Sequence, residues 1–576
     1  MSLQNSYLSQ SKYGYDYVVS TTQENINSGL LEYLSTINTP DQPTTYLCFL
    51  VDNSGNPSNC ITLDKIIGDT GINPFEILNN TSYDDPRITR LTQYRFCVGI
   101  KMKLGLPPGI MPKDMPPIVD LGSSASNVKF NLFCSDLEII QNNPPSGWGG
   151  QGSWVVNQQP VGKPWYFTTN VNLQFCDLDK DLNTTYFKNN PEKKENIKNK
   201  LANISSTAFS LQQLLFDLDN ASLMEIPQIE NVPKGSAVEM VLIRFFIDYY
   251  FDIMKNKGEP VLQIHAILNS SDPSSLKLTG IEREVNQLLD DSGVVIPNPT
   301  SLQKKLTTLN YLCAVNNNNL PGIASFNWNW VEPAEIDLES GVIAINRNCL
   351  ANYYKTQLLN DGTLKRACVK PWTSVTAHAF GGTDWNWSFT PYQAPQNVTI
   401  PADGPEVLSI SFESNSDSHD KSGATGAEFD IHSSYNCSVS FVNNTIVIVQ
   451  NIKMWLKIRW DETSESANVV DKTITDTYTL SIGADGQLES SLSSNPTDNS
   501  QSFNFNWFVK WFAGIGDCIS EITNSIKEFN QTSLNGIPVN DISNFIFPAG
   551  NVFAFKDVKF SDHRDLVTRI TYVKPK

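Results

Sequence analysis

The sequence predicts an α+β protein of two tandem modules, each packing amphipathic helices against antiparallel sheet. Three observations carry this expectation. A helix start at 18–38 has a related pattern at 342–359, where a short apolar strand precedes the helix; each half holds a second amphipathic helix; and much of the remaining chain alternates as two-faced strands do.

In the first half, Ser20 and Gln23 have capping-box spacing, and Ile26, Leu30, Leu34 and Ile37 then recur on one helical stripe. A second stripe at 236–256 runs through Val238, Leu242, Phe245, Tyr249 and Ile253. The polar run 314–322, closed by Pro321 and Gly322, is the best module boundary. It divides the chain into 1–315, with a Trp-rich insertion, and 323–576.

The second half restarts with a short apolar strand, Asn346 as a helix cap, and Leu350, Tyr353, Tyr354 and Leu358 on one stripe, an internal pseudo-repeat of the first. Residues 437–460 read as strands around an Asn443-Asn444 turn, and Asp485-Gly486 marks a hairpin. Trp511, Ile515, Cys518, Ile522, Ile526 and Phe529 form the inward stripe of a last helix at 511–529. The segments 325–331, 384–389 and 502–508 alternate Asn with aromatics, the pattern of strands whose two faces meet different surroundings. Packing those aromatics into the core is the simplest use for them.

Composition narrows function. With 42 basic and 60 acidic residues the net charge is −18, which repels a polyphosphate and argues against a nucleic-acid partner. The N-terminus has no apolar core of a secretory signal, and no run reaches the roughly 20 apolar residues of a membrane-spanning helix. A cytoplasmic protein, or one released without a classical signal peptide, is expected. Ten cysteines are scattered without CxxC pairs, mostly in apolar contexts, as reduced core thiols are.

Signals for chemistry are few. His419 and His432 lie near Asp417, Asp420 and Asp430, but their 13-residue offset in a polar, Gly-containing stretch reads as a mobile loop rather than a metal site. The acidic run 177–183 has the rhythm of a calcium loop, yet Leu182 and Lys188 stand where Gly and Glu belong. The Gly-rich 147–154 lacks the Lys-Ser or Lys-Thr of a phosphate loop, and no GxSxG, HExxH or DFG set occurs. No catalytic residue, metal or cofactor is therefore expected, and no enzymatic activity. Carboxylate pairs of glycosidase type need no local motif. Trp148, Trp154 and Trp165 sit among Gly, Pro, Asn and Gln, where exposed indoles would suit a membrane interface or a sugar ring. The alternative is that they fold back as plugs on their own sheet.

The combination of YGYDYVV before the first helix, GVIAINRNCL before its repeat, and the closing FIFPAGNVFAFKDVKFSDHRDLVTRITY resembles the tubular lipid-binding (TULIP) proteins, most of all the OrfX-type accessory proteins of clostridial neurotoxin gene clusters. The resemblance implies two TULIP-like modules, each with long helices wrapped by a strongly curved antiparallel sheet. An apolar groove between helix and sheet would bind a lipid or other amphipath, with Ile26, Leu30, Leu34, Leu242, Phe245, Tyr249, Ile515 and Ile522 as its candidate lining. It also implies a protein partner in a toxin-like complex. If aromatic side chains fill the grooves, the reading left is surface recognition of glycans or membranes, with peripheral membrane contact through the Trp-rich segment.

Overall fold

The computed structural model describes residues 2–37, 44–52, 57–124, 128–145, 147, 149–171, 173–177, 209–216, 228–245, 263–268, 278–336, 340–360, 362–379, 382–484, 486, 488–526, 545–546 and 552–573. At its centre is a six-stranded antiparallel sheet to which both halves of the chain contribute. Its order is Leu278–Asn286, Thr308–Val315, Tyr17–Thr22, Gly341–Ile345, Leu566–Val573, Val552–Phe560. Each side of the midline has the same composition: a helix-leading strand inside, then two strands from the end of that half. The pseudo-repeat expected from the sequence is thus a pseudo-twofold arrangement. The strands flanking the 314–322 segment, Thr308–Val315 and Gly341–Ile345, both pair with Tyr17–Thr22, so the two halves share this sheet.

Strand alternation gives the central sheet two buried faces. Tyr17, Val19, Ile343 and Ile345 join the main core, and Val18, Leu312, Val342 and Ala344 join a second cluster. That second cluster is filled by Tyr13, Tyr15, Phe326, Trp328 and Trp330. Residues 325–331 form no strand; their alternation plugs the back of the sheet. Of the three Asn–aromatic segments, only 384–389 lies in a strand, Thr383–Thr390.

The ends of the chain are knitted in by a buried carboxylate. Asp565 accepts hydrogen bonds from Ser6 Oγ (2.8 Å), Leu8 N (2.7 Å) and Arg347 N (3.0 Å). Burial pushes its carboxyl up to about 7 against the opposing pull of those donors. Nine cysteines whose side chains are described carry unbridged thiols, eight of them buried, and burial raises the Cys48, Cys368, Cys437 and Cys518 thiols to about 12.

Each half adds its own antiparallel sheet. The first is eight-stranded, centred on Val128–Asn143 and Phe96–Leu104. The second is a six-stranded meander whose long members are Glu406–Ser422, Thr425–Val442, Thr445–Trp460 and Thr463–Ile482. Asn443, with φ of 56°, makes the expected turn between two of them. The hairpin Lys370–Ala377 with Thr383–Thr390 lies across this meander, its Thr373, Val375 and Ala377 amides donating to the side chains of Ser416, Ser418 and Asp420.

The expectation of long helices wrapped by a curved sheet is overturned. Strand dominates, and the longest described helices are Gln23–Ile37 and Arg347–Asn360, of 15 and 14 residues. At 1.5 Å per residue these extend only about 20 Å, whereas Thr463–Ile482 alone runs 20 residues as strand. The helix expected from residue 18 begins as strand to Thr22, and Thr22 Oγ1 rather than Ser20 accepts from the first turn, at Asn25 N. Asn346 caps as expected, accepting from Asn348 N at 2.8 Å. The helix expected at 236–256 is described only as Ala237–Phe245. That expected at 511–529 is two short helices, Trp507–Ala513 and Ile515–Ile526, broken by Gly514 at φ of 73°.

Candidate functional site

The residues named from the sequence as groove lining lie inside the protein. Ile26, Leu30, Leu34, Leu242, Ile515 and Ile522 are all buried in the main cluster, packed by neighbouring protein. The side chain of Phe245, and Tyr249 altogether, lie outside the described residues.

Of the two readings of the indoles, Trp154 and Trp165 follow the fold-back one and are not surface residues. Trp154 is 1% exposed, because Ser153–Gln158 pairs with Val128–Asn143 and turns the indole under the Leu63–Thr70 and Pro86–Gln93 helices. Its ring stacks on Phe96 at 5.9 Å and its Nε1 donates to Ile77 O at 3.4 Å. Trp165 is buried in the main core. Trp148 lies outside the described residues.

Exposed aromatics gather elsewhere, on the helix Trp507–Ala513. Asn506 caps it by accepting from Phe508 N at 2.9 Å, and Gly514 in the left-handed region ends it. One side, Val509 and Ala513, is buried, as are Phe503 and Phe505 just before the helix. The other side presents Trp507 and Trp511, each 77% exposed, with Phe508 at 54% and Phe512 at 50%. Spacing of i, i+4 puts each Trp over a Trp and each Phe over a Phe; Phe508 and Phe512 lie nearly parallel with centroids 6.3 Å apart.

The helix is anchored to the body. Trp385 Nε1 donates to Ala513 O at 2.7 Å, and Phe512 packs against Trp460 with centroids 5.7 Å apart. Lys510 Nζ reaches back to Phe503 O at 3.3 Å, which draws the one cation of this helix away from the aromatic side. The arrangement offers an apolar surface of two indole and two phenyl rings held on an anchored helix.

Sequence reasoning missed this surface by assigning Trp511 to an inward stripe and 502–508 to a strand. The signal was present in WFVKWFA. Two adjacent aromatic pairs four residues apart cover more of a helix than one buried face accepts, and the small Ala513 with Val509 marks the other side as the inward one.

Neither a family model nor a characterised protein matches the sequence. Among solved structures, the chain is similar to P47 from Clostridium botulinum A2, with a TM-score of 0.41 and 11% identity over 98% of this chain and 99% of that one. P47 of Clostridium botulinum E1 follows at 0.39 and 9% identity, over 97% and 98%. A lipopolysaccharide binding protein matches at 0.26 and 8% identity, over 97% and 100%. At these scores the likeness assigns neither fold family nor function. No helix among the described residues is long and apolar enough to cross a membrane.

Proposed function

We propose that this chain is a non-enzymatic protein that binds amphipathic surfaces, docking the Trp507–Ala513 helix at the interface of a lipid layer. The observation that supports it most is the exposure of Trp507, Phe508, Trp511 and Phe512 on one side of a helix whose other side is buried. Leaving such rings in water forgoes burial energy: a fully buried Phe contributes roughly 1.5–3 kcal/mol. Trp concentrates at bilayer interfaces, where its ring meets acyl chain and its N–H meets the headgroup layer. A net charge of −18 disfavours broad attraction to anionic lipid, so insertion of the rings carries the contact. The resemblance to tubular lipid-binding proteins in the sequence points to the same ligand class, with the surface in place of the groove.

The test is flotation of the full chain with phosphatidylcholine vesicles, comparing wild type with Trp507→Ala/Trp511→Ala. Wild type is expected to float and the double variant to lose most of that binding while melting at the same temperature. Wild type that stays unbound, or a variant that binds equally, would overturn the reading and leave a protein partner as the occupant of this surface.

A further inference from the structure

The stretch holding His419 and His432, expected to be a mobile loop, is a β-hairpin. Glu406–Ser422 and Thr425–Val442 pair in a register that sets His419 opposite Glu428 and Asp417 opposite Asp430. Thr445–Trp460 then sets Arg459 opposite Glu428 and Lys457 opposite Asp430. Alternation places these side chains together on the face of the meander away from its core. The 13-residue offset between the histidines, which suits no local ligand motif, is thus replaced by cross-strand neighbours.

On this face, one ligand atom each from His419, Glu428 and Asp430 lies within 4.8 Å of the others. A second, independent observation is the state of Asp430. Its side chain is only 8% exposed, and its buried Oδ1 has no hydrogen-bond partner. A carboxylate oxygen in that position keeps a desolvation cost that no hydrogen bond offsets. His419 Nε2 is 3.6 Å from Oδ1, too far for a hydrogen bond. That separation is close to the roughly 3.4 Å between two ligand atoms of a tetrahedral ion with bonds of about 2.1 Å.

The neighbouring cations orient the third ligand. Lys457 Nζ donates to Glu428 Oε2 at 2.6 Å and Arg459 to Oε1 at 2.8 Å. Each carboxylate oxygen keeps a second lone pair, so Glu428 retains the capacity to ligate. Lys457 Nζ stands 3.8 Å from Asp430 Oδ2, which leaves Oδ1 to face His419. His432 is engaged next to the cluster, with Nε2 at 2.7 Å from Asp417 Oδ1 and its ring against Trp455.

We infer that His419, Glu428 and Asp430 form a divalent transition-metal site of zinc type, with one coordination position open to an external ligand. An imidazole with two carboxylates suits zinc, whereas calcium takes six to eight oxygens and does not call for imidazole.

The inference is tested on the full chain after chelator treatment, by calorimetric titration with zinc chloride and, separately, calcium chloride. Wild type is expected to take up one zinc and to melt at a higher temperature with it. His419→Ala, at a side chain 56% exposed, is expected to weaken zinc binding at least tenfold, and His378→Ala, which removes a remote histidine paired with Asp384, to leave it unchanged. His419→Gln serves as a second variant if the alanine form folds poorly. No zinc uptake by wild type, equal uptake by the His419 variants, as cysteine-bound zinc would give, or tighter binding of calcium than zinc would overturn the assignment.

Discussion

Val19 and Ile343 stand directly opposite each other in the central pair of strands, and both point into the main core. Each lies in the strand that opens its half, one leading into Gln23–Ile37 and the other into Arg347–Asn360. Contact between the halves therefore includes backbone pairing within this sheet, whose tolerance for change is set by hydrogen-bond geometry and not by side-chain fit alone.

Gly341, opposite Thr21 at the end of this pairing, is the sharpest test. A Cβ added there would lie 2.0 Å from Ser20 O, a backbone atom that cannot rotate away. Gly341→Ala is expected to cost about 3 kcal/mol in denaturant melts, the range of a severe overpacking defect. A loss below about 0.5 kcal/mol would contradict the pairing of Tyr17–Thr22 with Gly341–Ile345.

The sheet also predicts a pH dependence. Burial pushes the Glu284 carboxyl from its ordinary 4.5 up to about 7, with the 2.6 Å bond from Asn310 Nδ2 opposing the shift. Between those values the native chain holds a proton that the unfolded chain has released. The stability this proton confers is full below about 4.5 and is lost as pH rises through about 7. Wild type is expected to lose stability from pH 5 to pH 8 more steeply than Glu284→Gln, by at most ~1.4 kcal/mol per pH unit within the window. Asp565, raised by burial to about 7, adds a slope of the same sign to both proteins, so the difference between them is the readout. Parallel pH profiles would rule out Glu284 as the source.

What could be read in advance followed local chemistry. The short strand before the second helix, the Asn346 cap and the Asn443 turn are properties of adjacent residues, and each is present. The union of the halves in one sheet, the meeting of His419 with Asp430 and the burial of Trp154 depend on which strands pair and in what register. No window of sequence contains that information. Helix length failed for a related reason: Gly514 breaks a stripe that periodicity alone would continue, and tertiary packing outweighs an apolar repeat.

The last prediction separates buried from presented indoles by stability alone. Trp154 and Trp511 both occur in polar or mixed surroundings in the sequence, yet one is 1% and the other 77% exposed. Trp154 fills the space among Ile66, Ile88, Leu91, Phe96 and Ile140, and its Nε1 has a carbonyl partner. Trp154→Ala removes the ring, opens a cavity and leaves Ile77 O without its donor, so it is expected to cost about 3–5 kcal/mol. Trp511→Ala removes a ring from solvent and leaves Val509, Ala513 and the Trp385 bond to Ala513 O in place. Its expected change is within about 0.5 kcal/mol. Urea melts of the two variants under identical conditions measure the contrast. Equal costs would mean that Trp511 packs against protein, and the aromatic surface at 507–512 would then be core rather than a face presented to lipid.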